Sequence, residues 1–122
     1  ITELRNLYYK ASEDKHSAKR FYRIMQKIEQ PNPITSGYKA MSKMIQAQYV
    51  FSPLEKLHLF NSGKNDLNRL ITENSTSIEL RFLRLAAQNS APRFLNYHQN
   101  IEEDKKRIII NEGISCNSIT CL

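Results

Sequence analysis

The sequence predicts an all-α protein of seven or eight short antiparallel helices in hairpins, stacked as an α-α superhelix or gathered into a compact bundle. Three observations carry this. Apolar residues recur at three- and four-residue spacing through almost every segment, the period of a half-buried helix. Capping patterns stand ahead of several of these segments. Only three glycines and four prolines punctuate 122 residues, which favours helices over turn-rich sheets. Hydrophobic residues make up 40% of the chain and charged residues 25%, enough for one packed core. Positions 1–113 are expected to form a single helical-hairpin domain, and 114–122 a loose tail. No apolar run approaches the roughly 18 residues of a membrane span.

The first helix is expected over Thr2–Ala11, where Leu4, Leu7, Tyr8 and Ala11 share one face. Ser12, followed by Glu13 and Asp14, starts a second, with acids where the helix dipole favours them. Its apolar side is Ala18, Phe21, Tyr22, Met25 and Ile28, and Pro31-Asn32-Pro33 ends it. A third helix runs from about Thr35 to Gln48 and buries Tyr38, Met41, Met44 and Ile45. Ser52-Pro53-Leu54-Glu55 combines an N-cap, a first-position proline and a capping-box glutamate. It opens a fourth helix that buries Leu54, Leu57 and Phe60. Gly63 reads as that helix's C-terminal cap, leaving Asn65–Glu73 as a short fifth helix that buries Leu67, Leu70 and Ile71.

Thr76-Ser77-Ile78-Glu79 is a second capping box, and the helix behind it, to Gln88, is the hub of the chain. Ile78, Leu80, Phe82, Leu83, Leu85, Ala86 and Ala87 make it apolar nearly all round, the pattern of a helix packed on several sides. Arg81, Arg84 and Gln88 form the exception, a narrow polar stripe. After one or two turns anchored by Phe94, Leu95 and Tyr97, Asn100 with Glu103 caps a last helix from Ile101 to about Asn111, which Gly113 terminates. That helix buries Ile101, Ile108 and Ile109. The short connection makes the last two helices antiparallel and brings Arg81 and Arg84 towards Asp104, Glu102 or Glu103, or towards carbonyls of the 92–97 turn. This structural polar hub of Arg81, Arg84 and Asp104 outweighs a second reading, in which the guanidiniums bind a carboxylate or phosphate ligand.

Formal net charge is +6, from 18 basic and 12 acidic residues. The organised part of it lies on the second helix, where Lys15, Lys19, Arg23 and Lys27 follow at four-residue steps with Arg20 alongside. This face is either solvated or a candidate surface for an anionic partner. Chemistry is otherwise sparse. No nucleophile motif, Gly-rich phosphate loop or paired-cysteine ligand set is present, so no enzyme, cofactor or metal is expected. His16, His58 and His98 fall in three different elements, and His98 shares a helix with Glu102 only if that helix runs through Asn100. Asn74-Ser75-Thr76 matches a glycosylation sequon, without meaning in a bacterial protein. Cys116 and Cys121 could pair with each other if the protein is exported and are exposed thiols if it is cytosolic, two alternatives the sequence leaves open. The chain opens on Ile1 rather than Met, through a cloning choice or a removed targeting segment. A periplasmic or exported location is favoured over a cytoplasmic one.

Glu3-Leu-Arg-x-Leu7 recurs as Glu79-Leu-Arg-x-Leu83, and Ala18-x-Arg-Phe21 as Ala91-x-Arg-Phe94. Repetition of helix pairs marks solenoid arrays. Leu4, Leu7, Tyr8 and Ala11 resemble the first-helix pattern of the tetratricopeptide superfamily, and Pro31 stands about where that family's closing proline does. Ala18, Tyr22 and Met25 fall two residues early for its second helix, and its tryptophan is missing. The stretch Glu79–Lys105, about a quarter of the chain, resembles uncharacterised helical proteins of Bacteroidetes, often preceded by an export signal and carrying no established activity. The expected function is a non-catalytic interaction or scaffold domain for a protein or peptide. The alternative is a binder of anionic polymer or nucleic acid through Lys15, Lys19, Arg20, Arg23 and Lys27.

Overall fold

The computed structural model describes residues 2–29, 32–90 and 97–112. They form six α-helices: α1 (Thr2–Ala11), α2 (Lys15–Gln26), α3 (Pro33–Ala47), α4 (Pro53–Glu73), α5 (Ile78–Ser90) and α6 (Ile101–Glu112). No strand occurs among the described residues. The all-α class is as expected, but the helix count is six rather than seven or eight. The difference is Gly63. Instead of ending a helix, it lies buried in the middle of the 21-residue α4. A Cβ built there would stand 2.6 Å from the Ala40 carbonyl oxygen and 2.8 Å from Met44 Cγ. The missing side chain lets two helix backbones approach. One mid-helix glycine costs only about 1 kcal/mol in propensity, too little to break a helix that gains such a contact.

Contacts divide the chain into two compact units, residues 1–74 and 75–122. In the first, α3 and α4 pair most extensively, α2 packs on α3, and α1 on both α2 and α3. Tyr8 ties three helices together. Its ring lies 6.5 Å from that of Phe21 on α2 and 6.0 Å, edge-on, from that of Tyr38 on α3. Ala11, Ala18, Phe21, Met25, Tyr38, Met41, Met44, Ile45, Phe60, Leu67, Leu70 and Ile71 are buried. Across the α3–α4 seam, Lys43 Nζ donates to Asp66 Oδ2 (2.8 Å) and Ser62 Oγ (3.2 Å), and Lys56 Nζ to the Gln48 carbonyl (3.0 Å). These pairings run in opposite senses along the two helices, so α3 and α4 are antiparallel.

The helix starts differ from expectation by small, explicable steps. Asp14, not Ser12, caps α2: its Oδ1 accepts from the Ser17 N–H at 2.8 Å, and this bond holds its carboxyl below the usual range. Ser12 instead donates back to the Tyr8 carbonyl and finishes α1. Asn32 caps α3, with Pro33 at the first turn rather than in the preceding stop. Ser52 caps α4 as expected, accepting from the Glu55 N–H. The apolar side of that first turn is a correction. Leu54 is 80% and Leu57 46% exposed, and only Phe60 of the three is buried.

In the second unit α5 packs against α6. Ser77, not Thr76, accepts from the Leu80 N–H and opens α5. Leu80, Leu83, Leu85, Ala87, Tyr97 and Ile108 are buried. Phe82, expected inside, is 47% exposed. Arg5 is exposed, whereas its sequence counterpart Arg81 is buried, so the two Glu-Leu-Arg segments occupy different environments. The turn at Pro92–Leu95, Gly113, both cysteines and the tail 114–122 lie outside the described residues.

Candidate functional site

Helical spacing turns the polar stripe of α5 towards α6. Arg81, Arg84 and Gln88 repeat at intervals of three and four, and on α6 Asp104 lies four residues beyond Asn100. Two antiparallel stripes of this kind meet. Arg84 grips Asp104 with a two-pronged fork, Nε donating to Oδ2 at 2.7 Å and Nη2 to Oδ1 at 2.8 Å. Arg81 Nη1 donates to the same Oδ1 at 3.0 Å, and its Nε to the Ser75 carbonyl at 2.9 Å. Glu103 closes the rim, 3.5 Å from Arg81 and 3.9 Å from Arg84. One turn further on, Gln88 and Asn100 exchange two bonds. Gln88 Nε2 donates to Asn100 Oδ1, and the Asn100 N–H donates to Gln88 Oε1.

Asp104 is wholly buried, and both arginines nearly so. Two guanidiniums meet two carboxylates, so the cluster is neutral. Burial acts to lower the Arg84 pKa, but the hydrogen bonds and charge of Asp104 outweigh it and the net shift is upward. Asn100 holds the Glu103 carboxyl below its ordinary range, with help from Arg81 and Arg84. The Tyr97 phenol is pushed well above its ordinary value, chiefly by burial. A ligand carboxylate or phosphate would need the place that Asp104 occupies. The geometry is that of a tie between two helices.

Tyr97 gives this unit a pH signature. A raised folded-state pKa means that the unfolded chain gives up its phenolic proton first. The stabilisation is fully present below about pH 10, the unfolded tyrosine value, and is lost as pH rises through the folded pKa. Thermal melts between pH 8 and 11 should show stability falling above about pH 10, and Tyr97→Phe should flatten that fall. Tyr8 is raised by burial and by Tyr9, and acts in the same sense in the first unit.

The structure gathers the predicted basic residues elsewhere. Lys15, Lys19, Arg20, Arg23 and Lys27 are all exposed, on the side of α2 opposite the buried Ala18, Phe21 and Met25. None of the five takes part in an ion pair among the described residues. No acidic residue occurs between Asp14 and Glu29. In residues 1–74 the other seven basic side chains are matched by seven acidic ones, so the whole net charge of that unit resides on this face.

A third feature was not anticipated. Phe51, just ahead of the Ser52 cap, is fully exposed, and Leu54 and Leu57 follow it at three-residue intervals in the first turns of α4. Sequence reasoning counted these leucines as core because their spacing is helical. What overrode the spacing is that Phe60, Leu67, Leu70 and Ile71 supply the buried apolar face of this helix. Among the described residues no group of three or more His, Cys, Asp or Glu could hold a metal ion. His98 precedes α6 rather than sharing a helix with Glu102. Among the described residues no helix is long and apolar enough to cross a membrane.

No family model matches the chain, and comparisons with curated proteins and with solved structures found no match either.

Proposed function

We propose that the chain is a non-catalytic interaction module that docks a protein or peptide on the apolar row at the start of α4. The observation that carries this reading is the exposure of Phe51, just before α4, and of Leu54 and Leu57 in its first turns, three large apolar side chains close together in the chain. Single exposed apolar residues are ordinary, whereas a row of them marks an interaction surface. Each would contribute about 1.5–3 kcal/mol on full burial, enough to anchor an amphipathic helix from a partner. The mutual pairing of Arg81, Arg84 and Asp104 supports a non-catalytic role, because their donors and acceptors are spent on one another. The antiparallel α3–α4 pair, with α1 and α2 packed alongside, supports a tetratricopeptide-like organisation of residues 1–74.

A photo-reactive residue at position 54 tests this in cells of the source organism. The expected result is a discrete cross-linked adduct that disappears when Leu57→Lys is added, while the melting temperature of the variant stays within about 2 °C. The same products from a probe at the exposed position Glu73 would count against the reading.

A further inference from the structure

We infer that the cationic face of α2 is a second binding surface, built for the phosphate backbone of nucleic acid and indifferent to its sequence. The surface is distinct from the α4 row and independent of it. Several features converge on a regularly charged polymer. Lys15, Lys19, Arg23 and Lys27 succeed one another every four residues. At about 1.5 Å and about 100° per residue, each cation stands about 6 Å on and about 40° round from the last, in a band that winds across the exposed side of the helix. From Lys15 to Lys27 this ridge therefore rises about 18 Å along the axis and winds through about 120°. A nucleic-acid strand presents one phosphate per roughly 3.4 Å of axis, so the five cations face about five phosphates.

The five charges are exposed and unpaired among the described residues. Like charges at four-residue spacing on a helix repel one another. That repulsion is relieved when an anionic polymer lies along them. Ala18, Phe21 and Met25 hold the opposite face in the core, so the array is presented on a fixed support. The same fact argues against a membrane partner. An interfacial helix inserts its apolar face, and that of α2 is already buried in the protein. The ridge carries no Phe, Tyr or Trp, since Tyr22 lies on the half-buried flank, and its one ring is the exposed His16. A succession of stacking platforms of the kind that binds single strands is absent from this face, and contact is chiefly with phosphates.

The experiment is a salt titration of purified protein against a labelled 20-base-pair duplex, its scrambled counterpart and a vesicle containing phosphatidylserine. The expected result is equal affinity for both duplexes, with a dissociation constant in the micromolar range or weaker. Five phosphate contacts give a slope of log K against log salt of about −4.5. Lys15→Gln with Lys19→Gln, Arg23→Gln and Lys27→Gln should retain the helical circular dichroism and reduce the slope to near −1. Leu54→Lys, on the other surface, should leave duplex binding intact. Three outcomes overturn the inference: no duplex binding at 50 mM salt, an unchanged slope in the quadruple variant, or vesicle binding that depends on the ridge and exceeds duplex binding.

Discussion

Asp104→Asn is expected to destabilise the α5–α6 unit by about 3–5 kcal/mol, the effect of leaving buried guanidiniums without their anion. The substitution keeps the shape of the side chain, removes its charge and turns one acceptor into a donor. With its oxygen in the place of Oδ1, the amide would still accept from Arg81 Nη1 and Arg84 Nη2, but its NH2 would confront Arg84 Nε. Both guanidiniums would be left with the half-exposed Glu103 as their anion. Amide hydrogen exchange reads the loss directly. Protection in residues 78–90 and 101–110 should fall roughly a hundred- to several-thousand-fold, since each 1.4 kcal/mol is tenfold. Protection unchanged within threefold would show that the cluster contributes nothing. Replacing Arg81, Arg84 and Asp104 together by Met, Leu and Leu should be far milder than the single change. An apolar trio of similar volume removes the desolvation penalty along with the attraction.

That cluster was the part of the structure most legible in the sequence. Arg81, Arg84 and Gln88 interrupt an otherwise apolar helix at a period that puts them on one face, and a short connection to an acidic helix supplies the complement. Helical periodicity and a dozen-residue separation suffice for such an inference, because both partners are local. The exchange between Gln88 and Asn100 was half legible: the stripe included Gln88, while Asn100 read only as a cap. Caps at Asp14 and Ser77 lay two residues and one residue from their expected places, since neighbouring polar residues compete for the same role and the winner depends on backbone dihedrals. The exposure of Leu54 and Leu57 was invisible for a different reason. Periodicity shows which residues share a face, not whether the protein covers that face. The ridge on α2 was legible as a pattern, but its exposure and lack of partners required the fold.

Gly63→Leu is expected to unfold residues 1–74 at temperatures where the native protein is stable, and the smaller Gly63→Ala already separates two readings of this position. In an exposed helix interior, alanine for glycine stabilises by roughly 1 kcal/mol through propensity. In α4 the new methyl carbon would meet the Ala40 carbonyl oxygen at 2.6 Å and Met44 Cγ at 2.8 Å. Met44 can rotate away; a backbone carbonyl held in α3 cannot move without separating the helices. Overpacking of this sort costs about 1–3 kcal/mol, so the sign reverses and Gly63→Ala should lower the denaturation midpoint at constant m-value. Adding Met44→Ala should recover only the part due to that side chain. A stabilised Gly63→Ala protein would mean that α3 and α4 do not approach this closely. The expectation depends on the pairing of α3 with α4, the most extensive in the unit. Lys43 reaches Ser62 and Asp66 across the same seam, so Gly63→Ala should also loosen that ion pair. Lys43→Met should then be less damaging in the Gly63→Ala background than alone, a coupling that a double-mutant cycle measures.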